Sequence, residues 1–185
     1  MCGIYISNIV FSEKEVKTKL KTINFRGPDY MGILQENDLT FGHLRLSILD
    51  LDERSNQPMS LEDYIIVFNG EIYNFQEIKK ELISLGHTFN TTGDTEVLLK
   101  GYKEWGQAVV PKLNGMFAFA IHDKINNILF CSRDRLGVKP FYYYWKDGVF
   151  EICSQLKPIS KDKTINNEAV SIYLDCTYIP SPYSI

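Results

Sequence analysis

No stretch of this 185-residue chain approaches the roughly 18 uninterrupted apolar residues of a membrane span. The N-terminus also lacks a secretory pattern, because no basic segment follows Met1 and Ser7 and Asn8 interrupt the first apolar run. That absence leads us to expect a cytoplasmic protein. An excess of one charge is missing too: 20 Lys and Arg stand against 23 Asp and Glu, a formal balance of −3. Composition therefore gives no reason to expect nucleic acid or a membrane surface as a partner. Cysteine and histidine are sparse. Cys2, Cys131, Cys153 and Cys176 form no CxxC pair, and His43, His87 and His122 are equally scattered. This spacing argues against a disulfide framework and against any metal site. The chain has no repeats and no low-complexity segments.

What is present is an ordinary globular composition, 44% hydrophobic and 23% charged, at a length that fills one core rather than two. Residues 3–11 are apolar and β-branched, which predicts a strand. Ser12 with Glu15 three residues later forms a capping box, and Val16, Leu20 and Ile23 follow at helical spacing to about Asn24. Alternation predicts a strand over 39–49, and residues 63–68 read as another strand, ending at the turn-prone pair Asn69-Gly70. Asn74 is placed to cap a second helix that Gly86 stops, and a third helix runs from about Thr95 to Trp105. Strands are expected at 115–122, 127–133, 140–145 and 149–153. Residues 157–167 read as a linker, a short helical pattern covers Glu168 to Leu174, and the last residues read as a chain cut rather than finished. Strands in consecutive runs, without strict βαβ alternation, point to an α+β fold with antiparallel sheets and helices outside them.

The chemistry begins at Cys2. A small second residue permits removal of Met1, which would leave a cysteine carrying a free α-amine. With unperturbed pKa values near ~8 for the amine and ~8.5 for the thiol, one residue can hold nucleophile and base together. Alone, a cysteine beside the start is unremarkable. Here Cys2-Gly3-Ile4 is followed by Arg26-Gly27-Pro28-Asp29-x-x-Gly32, by Gly42-His43-x-Arg45-Leu46-Ser47-Ile48, by Asn69-Gly70-Glu71-Ile72-Tyr73-Asn74 and by Gly93-Asp94-Thr95-Glu96-Val97. In this order the five segments resemble the class II glutamine amidotransferases, and specifically the glutaminase domain of asparagine synthetases. Leu113-Asn114-Gly115-Met116-Phe117 and the segment from Ser132-Arg133-Asp134-Arg135 to Lys139-Pro140 extend the likeness, and residues 172–185 look like the opening of a synthetase domain.

That resemblance implies an N-terminal-nucleophile hydrolase fold, an αββα sandwich of two antiparallel sheets flanked by helices. It implies a glutaminase domain over 1–160, with 161–185 a linker and the start of a truncated synthetase domain. Cys2 is the implied nucleophile, with the Asn69 side chain and the Gly70 N–H as oxyanion donors. Arg45 is the implied partner of glutamine's α-carboxylate, Glu71 and Asp94 of its α-ammonium, and backbone of Leu46, Ser47, Ile48 and Leu49 completes the pocket. The implied partners are L-glutamine and a synthetase domain, with a homodimer admissible. No cofactor is implied for residues 1–160, while ATP and Mg are expected only for the synthetase domain. The roles of Arg26, Asp29, Arg133, Asp134 and Arg135 divide between supporting the pocket and forming an ion-pair network toward the missing domain, and the second is favoured. Lys139 has no glycine-rich loop before it and is not read as a phosphate site.

The sequence departs from the family pattern at Ser55-Asn56-Gln57-Pro58, where Gly-x-Gln-Pro is usual, and at Gln155, where a glutamate is common. The second leaves the ammonia acceptor open between aspartate and another acid or a sugar. Two rival readings remain at this level, another N-terminal-cysteine hydrolase and a non-catalytic domain that docks or regulates a synthetase.

Overall fold

The computed structural model describes residues 1–160, 165–180 and 183. One sheet holds β1 (Gly3–Ser7), β2 (Tyr30–Glu36), β3 (Leu39–Arg45), β8 (Tyr142–Lys146) and β9 (Val149–Cys153) in the order β2-β3-β1-β9-β8. The other holds β4 (Met59–Leu61), β5 (Tyr64–Ile72), β6 (Gly115–Asp123) and β7 (Ile128–Arg133) in that order. Every pairing in both sheets is antiparallel. Helix α1 (Glu13–Lys21) covers the first sheet, and α2 (Phe75–Ser84) and α3 (Asp94–Trp105) cover the second. A last helix, α4, spans Asn167–Cys176.

Two-residue periodicity assembles these layers. In β1, Ile4 and Ile6 face Ile65, Val67 and Ala120 between the sheets, while Tyr5 turns outward to Val16 and Leu20 of α1. In β5, Ile65 and Val67 face inward, and Ile66 and Phe68 turn outward to a core shared with Leu82, Val97 and Leu98. The result is the α+β αββα sandwich that the resemblance implied.

Several local expectations shift. The first strand stops at Ser7, not Phe11, because Asn8 turns its side-chain amide to Gly148 O and Phe150 N while Ile9 N–H bonds the Ser7 hydroxyl. The Ser12–Glu15 capping box forms, but α1 ends at Lys21 and residues 24–26 make a separate 3-10 turn. Asn74 does not cap α2 with its side chain; that amide instead bonds Lys112 O at 2.9 Å and Asn114 N at 2.9 Å. Strand β3 ends at Arg45 rather than at residue 49. Asn69-Gly70 is not a turn. Strand β5 continues through it to Ile72, paired residue for residue with β6 as Asn69↔Ala118 and Gly70↔Phe117. Only glycine fits at position 70, since an added Cβ would lie 2.3 Å from Met116 O. Strands β2 and β4 and the 3-10 segment 106–112 were not foreseen. Of the expected linker, residues 161–164 lie outside the described residues.

Candidate active site

One cavity gathers the N-terminus, the loop after β3, the middle of β5 and the start of α3. Cys2, Arg45, Leu46, Ile48, Leu49, Asn69, Gly70, Glu71 and Asp94 line it together. Ser47 is the exception among the expected residues. Its N–H is turned to Asp29 Oδ2 at 2.7 Å, and it is absent from the lining.

Cys2 is placed by β1, whose first residue pairs as Gly3↔Leu44, setting Cys2 beside the end of β3. Its Sγ lies 3.4 Å from the Leu46 nitrogen and 3.8 Å from the Leu46 oxygen. Burial pushes the thiol up, and the Leu46 N–H, the terminal amine and Arg45 only partly oppose it. The group therefore rests as a thiol rather than a thiolate. The Met1 amine is lowered, first by burial and then by the charges of Arg26 and Lys139, with Cys2 and Asp29 opposing.

Arg26 and Asp29 support this end of the cavity, and among the described residues neither forms an ion pair. Arg26 Nε donates to Cys2 O at 2.9 Å, and Asp29 N–H donates to Arg45 O at 3.0 Å. Gly27 makes that approach feasible, because a Cβ there would fall 2.3 Å from Leu44 O. Arg133, Asp134 and Arg135 also bond backbone. Arg133 Nε donates to Lys139 O at 2.6 Å, Asp134 accepts N–H bonds from Phe117, Val138 and Lys139, and Arg135 reaches Leu113 O.

Arg45 is buried, and its terminal nitrogens are engaged within its own loop. Nη1 donates to Asp52 O at 2.9 Å and to Asn56 Oδ1 at 2.7 Å, and Nη2 donates to Asp50 O and, at 3.4 Å, to Leu49 O. It thus folds the loop that roofs the cavity. The same loop reaches α3 through Asp50, which accepts from Thr92 N–H at 2.6 Å. Burial disfavours the Asp50 charge, yet the N–H and hydroxyl donors around it hold its pKa down to about 2.

The free edge of β5 has a simple pattern. In an antiparallel strand alternate residues turn their N–H and C=O to opposite neighbours. Phe68 N–H goes to Gln57 Oε1 at 2.6 Å and Ile72 N–H to Asp94 Oδ2 at 2.9 Å, both away from β6. Gly70 has the same parity, so its N–H leaves the same edge between them and faces the cavity. Beside it Asn69 is 1% exposed, and neither its Oδ1 nor its Nδ2 has a hydrogen-bond partner among the described residues. A buried amide left unpaired costs about 1–3 kcal/mol, a cost that a ligand in the cavity would relieve.

Asp94 is the first residue of α3, with Gly93 rather than Asp94 as the N-cap. Burial raises its carboxyl to about 6 against the bonds from Ile72 and the helix N-terminus, and Glu71 adds to the rise. Lys139 also lines the cavity, 4% exposed, with Nζ donating to Met1 Sδ at 3.0 Å. Burial lowers its pKa, with the Glu71 charge opposing. Sequence reasoning gave it no pocket role, and it missed Gln57, Thr95 and Met116 as lining residues. The available signal was proximity to the Arg133-Asp134 segment for Lys139, and the segments holding Asp94 and Asn114-Gly115 for Thr95 and Met116.

Comparison with known proteins agrees with this geometry. A family described as glutamine amidotransferase domain matches residues 1–185. A provisionally named glutamine-hydrolysing asparagine synthetase 2 of Methanocaldococcus jannaschii is 43% identical over 100% of the chain. The glutamine-hydrolysing asparagine synthetases 3 and 1 of Bacillus subtilis are 42% and 40% identical over 86% and 100% of it. The matches span 41%, 27% and 31% of those three proteins, so the chain covers well under half the length of these relatives. Among solved structures, a Bacillus subtilis glutamine phosphoribosylpyrophosphate amidotransferase complexed with ADP and GMP shares the fold. Its TM-score is 0.70 at 18% identity, covering 83% of this chain and 42% of that one. A cysteine at position 2, a roofing loop tied by Arg45 and an open pair of donors on β5 are thus met in a chain that belongs to the glutamine amidotransferase domain family.

Proposed function

We propose that this domain hydrolyses L-glutamine to glutamate and ammonia through a thioester on Cys2. The observation that carries the reading is the unpartnered Asn69 amide and the outward Gly70 N–H in one cavity with the Cys2 thiol. Met1 must first be removed, so that the α-amine belongs to Cys2. That amine takes the thiol proton as Sγ attacks the γ-amide carbon, and Asn69 Nδ2 and Gly70 N–H donate to the oxygen as it gains negative charge. The proton passes to the departing nitrogen, the C–N bond breaks and ammonia leaves. Water then attacks the thioester, releasing glutamate and restoring the thiol.

The α-ammonium of glutamine is met by Asp94 and Glu71. The α-carboxylate is met by Arg45, whose long 3.4 Å bond to Leu49 O is the one a carboxylate would displace. Backbone of residues 46–49 completes the pocket. In a longer protein the ammonia would feed an ATP- and Mg-dependent synthetase domain, beginning within 161–185, that aminates aspartate or another acid. Neither group is assigned to residues 1–160. No helix among the described residues is long and apolar enough to cross a membrane, and a cytoplasmic location is our inference.

The test is intact and peptide mass after treatment with a glutamine-mimicking diazoketone, with and without excess glutamine. A single adduct on Met1-free Cys2, suppressed by glutamine, supports the reading. Cys2→Ala should label nowhere and release no glutamate while unfolding at the wild-type midpoint. Turnover by Cys2→Ala would sink the nucleophile assignment, and retention of Met1 with no labelling would favour a docking or regulatory domain.

A further inference from the structure

The two donors proposed for the oxyanion sit on a strand whose hydrogen bonding changes character at that point. From Tyr64 to Ile66 the outer edge of β5 is covered by β4, which ends its pairing at Met59↔Ile66. Beyond it no strand among the described residues covers the edge, and the next outward peptide groups belong to Phe68. Both are held by side chains. Gln57 Oε1 accepts the Phe68 N–H at 2.6 Å, and His43 Nε2 lies 3.2 Å from the Phe68 carbonyl oxygen. The carbonyl can only accept, so Nε2 carries the ring proton. His43 is fully buried, and burial lowers it to about 3, which keeps it a neutral donor.

Gln57 does more than close an edge. Its Nε2 donates to Thr95 Oγ1 at 3.3 Å, so the side chain spans from β5 to the second residue of α3. Asp94, the first residue of α3, bonds Ile72 N–H on the far side of Gly70. The start of α3 is thereby joined to β5 at two points that bracket Gly70, once directly and once through Gln57. The loop that carries Gln57 is itself fixed, since its neighbour Asn56 accepts from Arg45.

We infer that Gln57 is a positioning residue for the glutaminase reaction, an inference that rests on the proposed function. By pinning the Phe68 peptide against α3 it fixes where the Asn69 amide and Gly70 N–H point, and it does so without holding glutamine itself. An oxyanion donor works only when already aimed at the place where charge develops, so loss of the strut should lower turnover and leave ground-state binding alone.

Three variants test this by glutamate release over a range of glutamine concentrations, with amide hydrogen exchange at Phe68 as a second readout. Gln57→Leu removes both bonds at similar volume and should lower kcat ten- to hundredfold, with KM within threefold and faster exchange at Phe68. Gln57→Glu keeps an acceptor for Phe68 N–H and should recover part of the lost kcat and the slow exchange. Thr95→Val removes the far anchor and should lower kcat several-fold with KM again unchanged, which decides the matter if Gln57→Leu does not fold. Wild-type kcat in Gln57→Leu or, where that variant does not fold, in Thr95→Val overturns the inference. So does a rise in KM with kcat intact, which would make Gln57 a substrate contact. Equal loss in Gln57→Glu and Gln57→Leu with matching loss of stability would mean a merely structural role. A Met1-free wild type that releases no glutamate defeats the glutaminase reading itself, and that outcome is distinct from an active wild type beside an equally active Gln57→Leu.

Discussion

Replacing Asp94 by Asn should stabilise the fold while impairing its use of glutamine. Burial raises the carboxyl from 3.8 to about 6, a shift of about 2 units. At about 1.36 kcal/mol per unit, holding this charge in the folded state costs about 3 kcal/mol at neutral pH. The folded pKa lies above the unfolded one, so that cost is absent below about pH 3.8, grows as pH rises and is complete above about 6. Asn can still accept the Ile72 N–H that Asp94 Oδ2 accepts at 2.9 Å. It loses the charge-assisted part of the bonds from the helix N-terminus, so a net gain of about 1–2 kcal/mol is expected at pH 7.5. Urea unfolding of both proteins at pH 7.5 and 4.5 measures this, and the advantage of Asp94→Asn should shrink by about 2 kcal/mol at the lower pH. His43, lowered to about 3, destabilises both proteins alike as pH falls through its unfolded value of 6.5, and it cancels in the difference. In parallel, loss of the charge-assisted bond to the α-ammonium should raise KM for glutamine roughly 10- to 100-fold. In the wild type KM should rise as pH falls through about 6. A variant less stable than wild type at both pH values by the same amount, with unchanged KM, would refute the reasoning.

Two further substitutions separate fold from chemistry. Asn69→Leu removes the two unpartnered polar atoms at similar volume, so urea unfolding should show a protein at least as stable as wild type. Its glutamate release should fall about 10²–10³-fold through loss of one oxyanion donor. Gly70→Ala places a methyl 2.3 Å from Met116 O and 2.7 Å from Phe117 Cα, both backbone atoms, and should cost about 3 kcal/mol by urea unfolding.

The layers were legible because their signals are local. The apolar runs within 63–68 and 115–122 mark strands buried on both faces, and Val97, Leu98 and Tyr102 recur at helical spacing in α3. The failures come from partners distant in sequence. Asn69-Gly70 has turn chemistry, yet the register with β6, Asn69↔Ala118 and Gly70↔Phe117, carries β5 straight through it. Asn74 is a good cap by type, but residues 112–114 compete for its amide and win. The cavity residues that carry motifs, such as Cys2, Asn69 and Asp94, were readable from the chain. Lys139 and Gln57 were not, because each enters the cavity through loops whose shapes are set by Arg133 and Arg45.

Strand β1 occupies the third of five places in its sheet, and the residue just before it opens into the cavity. Residues 1 and 2 thus lie in the cavity wall, ahead of a central strand rather than an edge strand. An affinity tag or fusion partner placed ahead of residue 1 would extend from the wall of the cavity and leave no free amine on Cys2. Expression vectors for this domain should carry their tag at the opposite end, or release it by a protease that leaves no residue before Cys2.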